Sequence, residues 1–224
     1  GMSQEDPTIV VTPVDTTRFI GGAGIVAAHG AGLGAEVELI TVVGNDSSHT
    51  FAENKLSEFG VTTSLIVDDS RPTTVKQRFR SNGKTLLRVS HLHQSTISPS
   101  FQNIFLKNVK SIIDKVDLLV FSDFNYGCLP QGLVDQILTL AKENNVMLAA
   151  DSQSSSQIGD ISRFKNMDLI TPTEREARVS TRNNEDGLVV LAEQLRRQSS
   201  AENILLKIGE DGVLIHANDS NGDN

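Results

Sequence analysis

Acidic side chains follow three of the predicted strands, where the chain could bind a metal ion or a phosphate. The apolar runs DLLVFS and VMLAA are followed by Asp123 and Asp151, and Glu176 lies in the helix after DLIT. Because the carboxyl ends of parallel strands meet at one rim of a sheet, we expect the three carboxylates to converge there. Clustered carboxylates suit Mg²⁺, which takes one or two of them together with waters and substrate phosphates. The alternative that they cap helices or fill turns stays open at this point.

Two further patterns could bind an anion. Gly21, Gly22 and Gly24 open a predicted helix, where exposed N–H groups favour negative charge and glycines let a ligand approach the backbone. A packed small-residue helix is the alternative. A predicted hairpin around Asn82-Gly83 carries the cationic side chains Lys76, Arg78 and Arg88. They suit a phosphate or carboxylate clamp, and a charged, solvated edge strand is the alternative.

The elements that would position these residues alternate between strands and helices. After residue 98, short apolar strands alternate with amphipathic helices, which predicts a mainly parallel sheet covered on both faces. The last two strands, on either side of GEDG at residues 209–212, predict an antiparallel pair. We expect one α/β domain over residues 1–224, with a small lid formed by strands at about residues 8–14 and 73–92.

Composition narrows the classes of function. The net charge is −8 and the pI is near 5.1, which argues against a nucleic-acid partner. Cys128 is the only cysteine, so no internal disulfide can form. No apolar run approaches the roughly 18 residues that a membrane span needs, and the first residues do not resemble a signal peptide. These features predict a cytoplasmic protein without a membrane partner.

The order of motifs resembles the ribokinase-like, phosphofructokinase-B type carbohydrate kinases, and most closely the kinase half of the heptose-7-phosphate kinase/ADP-heptose synthase family. The likeness runs from about residue 7 to residue 217. It rests on IGGAGIVA at residues 20–27, VVGND at 42–46, RPTTVKQRF at 71–79, LLRV at 86–89, FSDFNYGCL at 121–129, AADSQ at 149–153, TPTEREA at 171–177 and LLKIGEDGVLI at 205–215. Each motif is moderately specific, and their joint order is much more specific.

The resemblance implies a three-layer α/β/α fold and ATP-dependent phosphorylation of a sugar or sugar phosphate, with Mg²⁺ and ATP as cofactors. It also implies a homodimer formed through the lid strands. The residues that it implies for the sugar side are Gly21, Gly22, Gly24, Lys76, Arg78, Arg88 and Asp123. Those that it implies for the nucleotide side are Asp151, Thr173, Glu176, Lys207 and Gly209, with Glu176 also bound to magnesium.

The chain departs from the family pattern at several polar positions. Hydrogen-bonding or cationic family residues are replaced by Ile25, Tyr126, Gln153 and Thr173. The resemblance also implies a preceding strand with a sugar-binding aspartate and a following G-A-G-D segment with the catalytic base, neither of which this sequence contains. We therefore expect a kinase fold truncated at both ends, with no useful kinase activity in this chain alone. The alternative is a non-catalytic pseudokinase that binds a sugar phosphate or another protein.

Overall fold

A computed structural model describes residues 10–153 and 159–217. The chain divides into two compact units, the first formed by residues 1–38 and 42–93 and the second by residues 39–41 and 94–224. The sequence predicts one domain with a projecting lid. The structure differs from this prediction because the predicted lid belongs to the same compact unit as the helices and strands that precede it in the chain.

The chain before residue 94 contains two helices and four strands among its described residues, and the middle of the first strand, residues 39–41, belongs to the second unit. Helix α1 (Gly22–Gly32) precedes strand β1 (Glu38–Val43), helix α2 (Ser47–Glu58) and strand β2 (Thr62–Val67). Strands β1 and β2 pair. The Thr62 N–H donates to Val37 O at 2.9 Å and the Asp68 N–H donates to Val43 O at 2.8 Å. Because the donor follows the acceptor by the same number of residues in both hydrogen bonds, β1 and β2 are parallel.

The predicted hairpin is confirmed as strands β3 (Val75–Ser81) and β4 (Lys84–His91), here called the lid hairpin. Asn82 and Gly83 have φ of 48° and 77° and form its turn, since a two-residue hairpin turn of this type needs positive φ at both positions. The prediction of a second lid strand at about residues 8–14 is wrong for residues 10–14, which belong to no strand. Pro13 lacks a backbone N–H, which disfavours strand pairing there. Residues 8 and 9 lie outside the described residues.

The second unit contains a five-stranded sheet with the order β5-β6-β7-β8-β9. Its strands are β5 (Leu118–Asp123), β6 (Met147–Ser152), β7 (Leu169–Ile170), β8 (Asn203–Lys207) and β9 (Val213–Ala217). Its helices are α3 (Pro99–Lys110), α4 (Gln131–Glu143), α5 (Glu174–Thr181) and α6 (Leu188–Ser199), with short 3₁₀ turns at Ile113–Lys115, Ile161–Arg163 and Gly209–Asp211. Strands β5 to β8 are parallel, and β9 is antiparallel to β8. The predicted α/β class and mainly parallel sheet are confirmed.

The two faces of this sheet differ sharply in burial. One face, which includes Phe121, Ile170 and Ile204, is almost fully buried. The other face carries Val120, Met147 and the remaining alternate residues of each strand, which are half-buried or exposed. The parallel strands follow one another in a single direction across the sheet, and right-handed crossovers in one direction place their helices on the same face. Among the described residues of this unit, helices therefore cover one face of the sheet.

Candidate functional site

A polar cluster lies at the carboxyl ends of β6, β7 and β8 in the second unit. Lys207 Nζ donates to Asp151 Oδ1 at 2.8 Å, and the hydroxyl of Thr171 donates to the same oxygen at 3.1 Å. Both members of the ion pair are partly exposed, with 39% of the Lys207 side chain and 35% of the Asp151 side chain accessible. An exposed pair of this kind contributes about 0–1 kcal/mol to stability, so Lys207 can exchange Asp151 for another anion at little cost.

Thr173 and Glu176 begin helix α5 beside this ion pair. The Thr173 hydroxyl accepts from the Glu176 N–H at 3.2 Å, and Glu176 Oε2 accepts from the Thr173 N–H at 2.8 Å. This reciprocal capping box fixes the start of the helix. A β-bridge between Thr173 and Lys207 ties the cap to the end of β8. The Glu176 side chain is buried, so its carboxylate has a structural role whatever else it binds.

Gly209 follows β8 with φ of +66°. No heavy atom other than its chain neighbours lies within 4 Å of the position that a Cβ would occupy. The backbone here is open to the approach of a ligand, and an L-residue would be strained at this φ. The structure therefore brings the predicted nucleotide-side residues Asp151, Thr173, Glu176, Lys207 and Gly209 to one rim of the sheet.

Asp123 lies on the other face of the same sheet and does not join this cluster. In the β5–β6 register Ser122 pairs with Asp151, so Asp123 points the opposite way. Asp123 Oδ2 accepts from Arg163 Nη2 at 2.8 Å, and the Asn125 N–H donates to Oδ1 at 2.9 Å. The expected convergence of three strand-end carboxylates on one site is thus wrong for Asp123, because strand alternation separates it from Asp151. Its role in substrate binding stays a prediction.

Arg163 is the partner that sequence reasoning missed. It also donates to Leu129 O at 3.0 Å, and its guanidinium lies 4.3 Å from the centre of the Phe164 ring. The contact between Arg163 and Asp123 joins residues that are 40 positions apart in the sequence. At that separation no local sequence pattern predicts the pairing. The one local signal is Asp160, whose side chain caps the short turn that carries Arg163.

The lid hairpin, in the first unit, has one cationic face and one apolar face. Arg78 lies directly opposite Arg88 in the strand register, and Lys76 lies opposite Ser90 on the same face. Neither arginine forms an ion pair with any residue that the structure describes. The other face includes the cross-strand pair of Phe79 and Leu87. Like charges directly opposite one another destabilise a hairpin, so the arginine pair favours an anion between or above the two guanidinium groups.

The predicted glycine loop opens α1 in the first unit. Gly21 is the extended N-cap residue, and Gly22 has φ of +56°. At Gly24 an added Cβ would lie 2.6 Å from a methyl carbon of Ile20, so close packing explains this glycine. Around Gly21 no such neighbour lies within 4 Å, which leaves its backbone accessible. Binding of a substrate by these glycines stays a prediction.

The VVGND motif anchors the segment that leads into the lid hairpin. Asp46 caps α2, and its Oδ2 accepts from the Thr73 N–H at 2.8 Å. Burial alone would raise the pKa of Asp46, but hydrogen bonds from the His49 and Thr73 backbone outweigh it and lower the pKa. A Cβ on Gly44 would lie 2.5 Å from Arg71 O, so only glycine fits there. The motif therefore has a structural role that the sequence pattern does not reveal.

Comparisons with known proteins agree with the fold and the motif order. The profile of the pfkB family carbohydrate kinases matches residues 2–223. The chain is 30% identical over 221 residues to the bifunctional protein HldE of Helicobacter hepaticus, covering 97% of this chain and 45% of that protein. It is 31% identical over 216 residues to the D-beta-D-heptose 7-phosphate kinase of Bordetella bronchiseptica, covering 96% of this chain and 66% of that protein. The chain thus spans less than half the length of the HldE protein that it matches.

A solved structure of phosphofructokinase-2 from Escherichia coli, described as its tetrameric inhibited form, has the same fold. The TM-score is 0.71 at 15% identity, and the match covers 94% of this chain and 71% of that chain. With a family profile that matches nearly every residue, the chain belongs to the pfkB family of carbohydrate kinases, and the ribokinase-like fold is confirmed.

None of the helices in residues 10–153 and 159–217 combines the length and apolar character that a bilayer-spanning segment needs.

Proposed function

We propose that this chain binds the substrates of an ATP-dependent kinase whose acceptor is a sugar phosphate. The observation that carries the proposal is the polar rim of the second unit, where Asp151, Thr173, Glu176 and Lys207 gather at the ends of adjacent strands. Ligands of open α/β sheets bind at this edge. Membership of a carbohydrate kinase family supports the assignment of the bound ligand as a nucleotide.

Lys207 supplies the positive charge for the nucleotide phosphates in this proposal. The family pattern has a lysine two positions after the strand-end aspartate, and Gln153 stands there in this chain. Lys207 replaces the threonine of the V-T-x-G pattern and brings an ammonium group to 2.8 Å from Asp151. Lys207 thus brings an ammonium group to Asp151 from β8, which lies two strands from β6 in the sheet. A phosphate would compete with Asp151 for it.

The residues present fit a magnesium ion that arrives with the nucleotide. Asp151 is partly exposed, and only one of its carboxylate oxygens accepts the two hydrogen bonds from Lys207 and Thr171. In residues 10–153 and 159–217 no three His, Cys, Asp or Glu side chains lie close enough to hold a metal by themselves. Mg²⁺ commonly takes one or two carboxylates and completes its shell with water and phosphate oxygens. Asp151 and Glu176 would hold it, and the ion would supply neutralisation of the phosphate charge.

The lid hairpin supports a phosphorylated acceptor rather than a neutral sugar. Arg78 and Arg88 face each other without a carboxylate partner among the described residues. Guanidinium groups bind phosphate through paired hydrogen bonds, whereas a neutral sugar leaves the repulsion between the two arginines in place.

Thermal shift measurements with sugar phosphates and the matching free sugars test this assignment. A ligand that binds the folded state raises the melting temperature by mass action. We expect a sugar phosphate to raise it and the free sugar to leave it unchanged. Arg78→Gln should remove the shift. Lys84→Gln, which makes the same change of charge at the hairpin turn, should retain it. Equal shifts with both ligands, or loss of the shift in both variants, would refute the assignment.

A homodimer formed through the lid hairpin is part of the proposal. The hairpin offers a half-buried apolar face with Phe79 and Leu87, and each of its strands has an edge that its partner strand does not pair. Light scattering should report twice the chain mass, and Leu87→Lys should return it to the mass of one chain. A single-chain mass for the unaltered protein at high concentration would contradict this.

A non-catalytic binding module is the second candidate. It is favoured because the charged side chains of the rim already have partners within the chain: Lys207 neutralises Asp151, and the Glu176 carboxylate caps α5. The two candidates differ in nucleotide binding, which the kinase assignment requires and the binding module does not. Isothermal titration with magnesium and a non-hydrolysable ATP analogue separates them, because neither candidate predicts phosphate transfer by this chain alone.

A further inference from the structure

The loop between β5 and α4, residues 124–130, lies beside the polar rim and is here called the β5 loop. It follows Asp123 directly and ends where α4 begins at Gln131. The Asn125 side-chain amide donates to Gln153 O at 3.0 Å, and Gln153 directly follows β6. Ligands of open α/β sheets bind at the carboxyl ends of the strands, so the conformation of this loop shapes the space that a ligand enters.

One guanidinium group contacts both ends of the β5 loop. Arg163 Nη2 donates to Asp123 Oδ2 at 2.8 Å and to Leu129 O at 3.0 Å. Arg163 Nη1 donates to Gln131 Oε1 at 3.2 Å, and Gln131 Nε2 donates to Arg163 O at 3.3 Å. A planar guanidinium presents five N–H donors in fixed directions. One side chain therefore binds the residue before the loop, a residue near its end and the first residue of α4.

The core of the second unit holds Arg163 in place. The Arg163 guanidinium carbon lies 4.3 Å from the centre of the Phe164 ring. Phe164 is fully buried, and its ring centre is 5.3 Å from that of Phe121 in β5. The Asp160 side chain caps the short turn that carries Arg163. Because the guanidinium stacks on a ring that is fixed by packing, Arg163 restrains the loop rather than following it.

Asp123 links Arg163 to the backbone of the β5 loop. The Asp123 side chain is buried, with 4% of it exposed. Besides the hydrogen bond from Arg163, its Oδ1 accepts from the Asn125 N–H at 2.9 Å and its Oδ2 accepts from the Ser152 hydroxyl at 3.2 Å. Asn125 has φ of 58°, a conformation that non-glycine residues seldom adopt. The carboxylate thus fixes the first turn of the loop, and its own position depends on Arg163.

We propose that Arg163 is a positioning residue for the acceptor, which acts through Asp123 by holding the β5 loop in the conformation that meets a bound sugar phosphate. This role rests on the proposed function and on the sugar-side position that the family resemblance implies for Asp123. Ordering a loop costs conformational entropy, and a loop that is ordered before binding removes that cost from the binding step. A ligand that needs one loop conformation binds more weakly in proportion to the fraction of chains that have it.

Hydrogen exchange followed by mass spectrometry measures the restraint on the β5 loop in the absence of ligand. The proteins are the unaltered chain, Arg163→Met, Arg163→Lys and the control Leu191→Ala, which removes a fully buried side chain of α6. Exchange at residues 124–129 is expressed relative to exchange at the amides of β6 in the same protein. We expect Arg163→Met to raise this ratio about tenfold or more, because local opening sets the rate of loop amides. Leu191→Ala should leave the ratio unchanged.

Isothermal titration with heptose 7-phosphate as the probe measures the effect on acceptor binding, at a temperature where thermal melts show that every variant is folded. We expect Arg163→Met to bind the probe about tenfold or more weakly, and Leu191→Ala to bind it as tightly as the unaltered chain. Arg163→Lys keeps a cation beside Asp123 but lacks the forked donors for Leu129 and Gln131. It should melt at a higher temperature than Arg163→Met and still bind the probe as weakly as that variant.

Several outcomes would overturn the positioning role. An equal exchange ratio in Arg163→Met and the unaltered chain would show that Arg163 does not restrain the loop. Unchanged affinity in Arg163→Met, or an equal loss of affinity in Leu191→Ala, would show that the restraint does not serve binding. Full affinity in Arg163→Lys would assign the effect to charge rather than to the loop contacts. Absence of binding to the unaltered chain would refute the acceptor assignment and the role in binding with it, whereas hydrogen exchange decides separately whether Arg163 holds the loop.

Discussion

Replacing Arg163 by methionine tests how the loop after β5 is held in place. Arg163 Nη2 is 2.8 Å from Asp123 Oδ2, and the side chains of Arg163 and Asp123 are 19% and 4% exposed. Methionine keeps much of the apolar stem of arginine and removes the charge. Asp123 then remains buried without a cation, and Leu129 O loses the donor at 3.0 Å.

The cost follows from what Asp123 retains. Removing one partner of a buried ion pair costs about 3–5 kcal/mol, because the other charge stays desolvated. Asp123 keeps hydrogen bonds from the Asn125 N–H at 2.9 Å and from the Ser152 hydroxyl at 3.2 Å. These place the expected loss of unfolding free energy near the lower end, at about 3 kcal/mol. For a chain of this size, that corresponds to a fall in melting temperature of roughly 6–12 °C.

Urea and thermal unfolding of four proteins provide the test. The set contains the unaltered chain, Arg163→Met, Arg163→Met/Asp123→Asn and the control Arg175→Met on the exposed side of α5. Asparagine needs no cation, so the double variant should regain about 1–2 kcal/mol relative to Arg163→Met. The control should lie within about 0.5 kcal/mol of the unaltered chain. If Arg163→Met unfolds like the control, or the double variant is no more stable than Arg163→Met, the reasoning is refuted.

Three other substitutions test local features of the second unit. Gly127→Ala should lower the free energy of unfolding in urea by about 2–4 kcal/mol, since the φ of Gly127 is +76° and a Cβ would lie 2.2 Å from Ser95 O. The control Gly132→Ala in α4 should raise it by up to about 1 kcal/mol, and equal effects of the two substitutions would contradict this. Glu193→Gln should lower the melting temperature at pH 7. Hydrogen bonds from Arg196, His216 and Arg197 lower the pKa of Glu193, so its contribution is complete above the ordinary value of about 4.3 and is lost as the pH falls through the folded-state pKa. The difference in melting temperature between Glu193→Gln and the unaltered chain should decrease from pH 7 to about pH 3. An increase over this range would contradict the lowered pKa of Glu193. Thr173→Ala should cost about 1 kcal/mol through the lost cap, while Thr173→Ser should be nearly neutral in the same unfolding assay.

Features that depend on neighbouring residues were predictable from the sequence. The helices and strands of the second unit follow from short apolar runs and helical periodicity. The lid hairpin follows from Asn82-Gly83, because few residue pairs accept positive φ at both positions. The gathering of Asp151, Glu176 and Lys207 followed from the general rule for strand ends in parallel sheets together with the resemblance to the kinase family.

Features that depend on distant residues were not predictable in this way. The pairing of Asp123 with Arg163 joins the end of β5 to a short turn 40 residues further along the chain, and the side of the sheet on which Asp123 lies depends on strand register. The helices of the second unit cover one face because of strand order, which alternation along the chain does not report. The position of Lys207 beside Asp151 likewise requires three strands in the right order.

Isothermal titration with magnesium and a non-hydrolysable ATP analogue measures whether the polar rim of the second unit binds a nucleotide. We expect saturable, magnesium-dependent binding to the unaltered chain, and binding weakened about tenfold in Lys207→Met, the loss expected for one charged contact to phosphate. The control Lys142→Met, which removes a lysine from the far end of α4, should bind as tightly as the unaltered chain. No saturable binding, or equal binding by both variants, would contradict the assignment of this rim as a nucleotide site.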